Sequence, residues 1–127
     1  SLRDENRVAI IDTSTREVTN RIEVGPNPIQ MFTTPDGAYV YVANQGTDAE
    51  PNNTVSVIDT ATGQVVKTLT TGGGAHGVSA STDGTFVFVT NIADDTVSII
   101  DVASQEVVKT VPVGDRPNGI VYGDPTR

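Results

Sequence analysis

The sequence predicts an all-β chain of stacked, four-stranded antiparallel sheets, and three observations carry that expectation. A five-residue pattern recurs as Val8-Ala9-Ile10-Ile11-Asp12, Val55-Ser56-Val57-Ile58-Asp59 and Val97-Ser98-Ile99-Ile100-Asp101, its aspartates 47 and then 42 residues apart. Short runs of Val, Ile, Thr, Phe and Tyr alternate with turn residues, and no long 3.6-residue apolar period marks a substantial helix. Finally, Tyr39-Val40-Tyr41-Val42-Ala43 and Phe86-Val87-Phe88-Val89-Thr90 are apolar on both faces, as strands buried from both sides are. A sheet covered on both faces and repeated along the chain is a blade between blades. Radial stacking of such blades makes a β-propeller.

Numbered from the inner strand at the channel to the outer strand at the rim, the elements follow in order. Residues 8–24 hold the third and fourth strands of one blade, Val8–Asp12 and Glu17–Val24. Residues 25–70 form a whole blade from Ile29–Thr33, Ala38–Ala43, Val55–Asp59 and Gln64–Thr70. Residues 71–112 form a second from Gly77–Ala80, Thr85–Thr90, Val97–Asp101 and Glu106–Val111. Residues 113–127 open a further blade with one inner strand at Gly119–Tyr122, which brings the expected total to eleven strands. Landmarks hold this frame: Gly25 aligns with Gly72 and Gly114, and Pro28 with Ala75 and Pro117. Asp36-Gly37 and Asp83-Gly84 are hairpin turns, where Asp bonds nearby backbone and Gly accepts a positive φ. Nine residues separate Asn44 from Thr54 but only four separate Asn91 from Thr96, so five extra residues at Thr47–Pro51 form a surface loop. The core expectation is Val40, Val42, Val57, Ile58, Val87, Val89, Ile99 and Ile100, wherever two sheets face each other.

Composition narrows the function. Of 127 residues, eight are Lys or Arg and sixteen Asp or Glu, a net charge of −8. That balance gives no basic field for nucleic acid or for an anionic membrane surface. With no Cys and one His, disulfides, thiolate redox sites and ordinary structural zinc sites are set aside. No apolar run reaches the roughly 20 residues of a membrane helix, so no membrane insertion is expected. Ser1–Asn6 reads as loop rather than as a signal peptide.

The motifs Tyr41-Val42-Ala43-Asn44 and Phe88-Val89-Thr90-Asn91, the Pro35-Asp36-Gly37 turn and the Val55–Asp59 strand resemble the YVTN family of β-propeller repeats. The likeness runs from Val8 to about Tyr122. It implies a bacterial or archaeal protein of extracytoplasmic location: periplasmic, secreted or at the cell surface, often of surface-layer type. Related propellers occur in heme-containing and amine-oxidising redox enzymes and in lactonases. The pattern decays at Tyr122-Gly123-Asp124-Pro125, where the next Asp-Gly turn belongs.

Eleven strands are fewer than a closed propeller of about four to eight blades uses. Either the chain is part of a longer propeller, or two copies pair their open ends. A composite blade made by pairing would lack its second, most apolar strand, which favours the longer chain. The expected partners are therefore the remaining blades or another protein, with homo-oligomers if the chain is studied alone.

Candidate chemistry is sparse. Gly72-x-Gly74-x-x-Gly77 matches a dinucleotide fingerprint by letter, but a strand follows it where the phosphate site needs a helix, so it reads as an inter-blade loop. His76 aligns with Ile29 and Asn118 where the inner strands begin. An imidazole there has the chemistry of a heme-iron ligand or a base, against the plainer reading of a polar residue at a loop–strand junction. Ser79, Ser81 and Asp83 do not by themselves make a triad. The acidic loops Thr47–Asn53 and Ala93–Asp95 lack a calcium-loop pattern, and Asp12, Asp59 and Asp101 serve separate turns. Asn52-Asn53-Thr54 is a glycosylation sequon, relevant only in a glycosylating secretory route.

No cofactor, metal or catalytic residue is assigned from these residues. The main functional expectation is a non-enzymatic binding or scaffold module, secreted or at the cell surface, that recognises a partner through loops on one face. The alternative is the propeller portion of a larger periplasmic oxidoreductase, of heme or quinone-cofactor type, or of a lactonase, with catalytic residues outside this chain. The candidate face collects Asn27, His76, Arg116 and Asn118 near the channel and Gln45, Asp48, Glu50, Asp94 and Asp95 farther out, since loops escape the packing demands on blades.

Overall fold

Runs of β-branched and aromatic residues, cut by Gly- and Asp-bearing turns, form ten strands in a computed structural model that describes residues 1–123. They are β1 (Arg7–Asp12), β2 (Glu17–Glu23), β3 (Pro28–Thr33), β4 (Tyr39–Gly46), β5 (Pro51–Asp59), β6 (Gln64–Thr70), β7 (Ala75–Ala80), β8 (Phe86–Asn91), β9 (Thr96–Asp101) and β10 (Glu106–Pro112). β1 pairs with β2, β3 to β6 form one antiparallel sheet in chain order, and β7 to β10 form another. Among the described residues the one helical element is a single 3-10 turn, Arg3–Glu5. Among the described residues no helix is long and apolar enough to cross a membrane.

The turns work as their residues require. In each inner hairpin an Asp carboxylate oxygen accepts from a hydroxyl and a backbone N–H. Asp36 takes Thr34 Oγ1 at 2.6 Å and Ala38 N at 3.0 Å, and Asp83 takes Ser81 Oγ at 2.6 Å and Thr85 N at 3.0 Å. Gly37 and Gly84 follow with φ of +74° and +73°. The outer hairpins use Asp12, Asp59 and Asp101, which accept from the N–H groups of Ser14, Thr62 and Ser104. These bonds hold the carboxyls of Asp12, Asp36, Asp83 and Asp101 below the usual carboxylate range. A β-bulge interrupts β3–β4 and β7–β8 near their starts and every pairing of a third strand with a fourth, which adds the strong twist that blades need.

Two apolar cores lie between sheets. Tyr41, Ala43, Val55, Val57 and Leu69 meet Ala75, Val78, Ala80 and Val87 between the complete blades. Val8 and Ile22 meet Val42 and Ile58 between the half blade and its neighbour. Of the expected core, Val42, Val57, Ile58, Val87, Val89 and Ile100 are buried, whereas Val40 and Ile99 are half-buried. Val40 lines the space beside the half blade, where two strands that would cover it are absent from the described residues.

One expectation needs correction. The segment expected as an eleventh strand, Gly119–Tyr122, is irregular backbone that pairs in no ladder, because no described strand lies beside it to exchange hydrogen bonds. It still runs along the second complete blade: Tyr122 N donates to Ser79 Oγ at 3.1 Å, and the Tyr122 ring stacks on Phe88 at 5.8 Å. Residues 124–127 of the expected 113–127 unit lie outside the described residues. The five-residue insertion forms an exposed surface loop at Thr47–Glu50, as expected, on a lengthened hairpin. It lengthens the β4–β5 hairpin to a Gly46–Pro51 pair and closes through Thr47 N to Glu50 O at 3.0 Å.

Candidate functional site

Three chain segments lead into the two inner strands and the irregular last segment: Gly25-Pro26-Asn27-Pro28, Gly72-Gly73-Gly74-Ala75 and Gly114-Asp115-Arg116-Pro117. The third residue of each takes the left-handed conformation, with φ of 49° at Asn27, 69° at Gly74 and 49° at Arg116. Asn27 and Arg116 are held there by a residue preceding a third strand. Asn27 N donates to Asn6 Oδ1 at 2.9 Å, and Arg116 N donates to Asp95 Oδ1 at 2.7 Å. Asn6 and Asp95 are themselves left-handed, with φ of 54° and 55°. The backbone repeats the same clamp, with Val24 N on Asn6 O, Thr71 N on Asn53 O and Val113 N on Asp95 O.

Beneath the first glycine of each complete-blade segment lies a buried asparagine. Asn44 Nδ2 donates to Thr54 Oγ1 and Ser56 Oγ, both at 3.0 Å. Asn91 Nδ2 donates to Thr96 Oγ1 and Ser98 Oγ, both at 2.9 Å. A Cβ on Gly25 would stand 2.5 Å from Asn44 Nδ2, and one on Gly72 would stand 2.8 Å from Asn91 Cγ, so only glycine fits above each amide. The entrance loops are thus pinned from below by asparagine and from the side by the residue before a third strand.

This geometry sorts the expected site residues. Asp94 and Asp95 serve the loop framework: Asp94 Oδ2 accepts Gly73 N at 2.7 Å, and Asp95 holds Arg116 N. Gln45 N donates to Asn27 O at 3.1 Å, which ties the inserted hairpin to the first entrance loop. Arg116 and Asp48 form an exposed ion pair at 3.7 Å across to that hairpin, a contact worth little to stability. Gln45, Asp48 and Arg116 share a cleft of about 30 Å³ with Pro51, Gly74 and Ile92, about enough for one water molecule. Glu50 lies outside that cleft and closes the inserted turn through its backbone N–H to Thr47 Oγ1 at 3.0 Å. Asn118 is exposed near the head of the irregular last segment.

His76 is the second residue of β7, one residue after the Ala75–Asn91 pair and inside the bulge before Val78. The residue is half-buried, and its Nδ1 is buried with no hydrogen-bond partner among the described residues. A polar imidazole nitrogen left without a partner at a strand head is a costly arrangement in a folded chain. Among the described residues no three His, Asp or Glu side chains gather to hold a metal ion. Sequence reasoning passed over Asn6. Its signal was available in the repeat, since Asn6 stands two residues before Val8 as Asp95 stands two before Val97.

Comparison with known proteins adds three findings. The family model described as "Cytochrome D1 heme domain" matches residues 1–120. Among solved structures, Kuenenia stuttgartiensis hydrazine synthase aligns with a TM-score of 0.85 and 28% identity, over 94% of this chain and 33% of that one. Dihydro-heme d1 dehydrogenase NirN, in complex with DHE, aligns at 0.75 and 23%, over 89% of this chain and 23% of that one. Apo AztD from Citrobacter koseri aligns at 0.74 and 14%, over 91% and 31%. The last two likenesses speak to the fold alone. This chain therefore spans about a third of the length of the hydrazine synthase chain it matches. No curated protein matches it. The propeller architecture expected from the repeats agrees with these neighbours, and the family matched is the heme domain rather than the YVTN repeat.

Proposed function

We propose that this chain, which belongs to the cytochrome D1 heme domain family, is one sector of a larger propeller that holds a heme at its channel mouth. Family membership favours the second of the two functional expectations, a propeller portion of a larger redox protein, over a non-enzymatic binding module. The observation that carries this reading is His76. It is the chain's one imidazole, it is the second residue of an inner strand, and its buried Nδ1 has no partner among the described residues.

The residues present fit such a group. His76 supplies a nitrogen donor of the kind that holds heme iron, while Asn27, Arg116 and Asn118 supply polar donors for porphyrin carboxylates. A bound heme would bring the electron-transfer chemistry, and this sector would contribute its binding and orientation. The clamps at Asn6 and Asp95 keep the backbone of the Asn27 and Arg116 loops in fixed conformations, so that backbone would meet a ligand already ordered. An extracytoplasmic, periplasmic location is part of the same proposal.

Absorption spectroscopy of the complete protein that contains this sector tests the reading. The purified protein should carry porphyrin bands, and His76→Ala should shift or remove them while far-ultraviolet circular dichroism stays unchanged. Absence of porphyrin, or identical bands in both proteins, would overturn it.

A further inference from the structure

In each complete blade, the turn from second to third strand ties its own entrance loop to the next one. In the second blade Ile92 N donates to Gly74 O at 2.9 Å and Ala93 N to Gly73 O at 3.1 Å, while Asp95 O accepts Val113 N at 2.8 Å. In the first blade Gln45 N and Gly46 N donate to Asn27 O and Pro26 O, both at 3.1 Å. Asn53 O and Asn52 O then accept Thr71 N and Gly74 N, both at 2.8 Å. The five inserted residues carry this turn one loop farther. Asp48 at its tip reaches Arg116 of the third entrance loop, beyond Gly72-Gly73-Gly74, a middle loop with no side chain to stand in the way.

The arm is well fixed, yet the contact at its tip is loose. Thr47 N to Glu50 O and Glu50 N to Thr47 Oγ1, both at 3.0 Å, close the turn. The chain enters it through Gly46 at a φ of +71°, where a Cβ would collide with the backbone of Glu50 and Asn52. On the other side, Asp95 holds the Arg116 backbone N–H. The Arg116 guanidinium, in contrast, meets Asp48 at 3.7 Å and donates no hydrogen bond among the described residues, with 65% of its side chain exposed. Charge alone holds it there, and its five N–H donors stay unused by protein. Its neighbours Asp48, Asp95 and Asp115 are all acids, so Arg116 is the point on this part of the face where an anionic group meets attraction.

We propose that Asp48 is the resident counter-ion of Arg116, which Arg116 exchanges for a carboxylate of the porphyrin, so that the inserted hairpin sets how tightly the site takes the ligand's acid groups. A ligand carboxylate can accept two parallel N–H bonds from one guanidinium, a geometry that Asp48 does not make. Asp48 acts through Arg116 and is a positioning residue. The inference rests on the heme reading for the identity of the ligand.

The test uses the complete protein that contains this sector, freed of its own cofactor and titrated with protoporphyrin and with protoporphyrin dimethyl ester. Porphyrin absorption reports the affinity. Asp48→Asn should tighten the diacid about two- to fivefold, the range of an exposed ion pair, and leave the ester unchanged. The gain should shrink as salt is raised. Arg116→Gln should weaken the diacid, and adding Asp48→Asn to it should have no further effect. Diacid binding that Asp48→Asn leaves unchanged or weakens would overturn this inference alone. So would an equal change for diacid and ester, or a gain that persists with Arg116→Gln. Failure of the parent protein to bind either porphyrin would overturn the heme reading and this inference with it.

Discussion

Replacing Tyr41 with Phe removes one oxygen from the core between the two complete blades and leaves the ring in place. Tyr41 is 0% exposed, and its hydroxyl has no hydrogen-bond partner among the described residues. A buried polar group left unpaired costs about 1–3 kcal/mol. Tyr41→Phe should therefore raise stability at pH 7 by about 1 kcal/mol, an increase of roughly 4 °C in Tm for a domain of this size. Tyr41→Ala, which empties the ring's volume, should cost about 3–5 kcal/mol. A second consequence lies in alkali. Burial pushes the Tyr41 phenol up to about 12, with Tyr39, Asp101 and Asp36 adding to the effect. The unfolded chain loses that proton near pH 10 while the folded chain keeps it. The stability tied to Tyr41 is thus complete below pH 10 and is lost as pH rises from 10 to about 12. Urea unfolding of both proteins at pH 7 and pH 11, followed by circular dichroism, measures both effects. A Tyr41→Phe protein that is less stable at pH 7, or that declines in alkali as steeply as the parent, would refute the reasoning.

Asn91→Ala should cost about 2 kcal/mol by denaturant unfolding, because it removes two hydrogen bonds in a buried site. Gly72→Ala should cost about 1–3 kcal/mol by forcing a methyl against Asn91, and combining it with Asn91→Ala should cost less than the sum. The hydrogen-bonded carboxyls of Asp36 and Asp83 have depressed pKa values, so their contribution is present above the ordinary value of 3.8 and lost as pH falls below it. Asp36→Asn combined with Asp83→Asn should flatten the acid end of a pH–stability curve. Deleting Thr47–Pro51 should weaken any partner binding on this face while the β circular-dichroism signal persists.

The repeat made most of the fold legible. The spacing of Asp12, Asp59 and Asp101 located the outer hairpins, and the two-sided apolar runs at Tyr39–Ala43 and Phe86–Thr90 identified the strands that blades bury. Strand pairing is a property of neighbours rather than of a sequence, which is why Gly119–Tyr122 has the letters of an inner strand yet no ladder. Val40 shows the same limit: its residue type favours burial, but its exposure depends on what lies across the groove. The face itself was legible from loop connectivity, whereas the division of labour on it was not. Asp94 and Asp95 stand as partner-binding candidates in sequence and are hydrogen-bonded supports in the fold, because the turn before β9, left-handed at Asp95, sets their carboxylates against the N–H groups of Gly73 and Arg116.

An electron cryo-microscopy map of the complete protein that contains this sector tests the central claim most directly. The account predicts a porphyrin at the channel mouth with its iron bonded to the His76 imidazole and the Asn27 and Arg116 loops beside it. A porphyrin ligated elsewhere, with His76 turned away from it, or a channel mouth closed by protein would contradict the account.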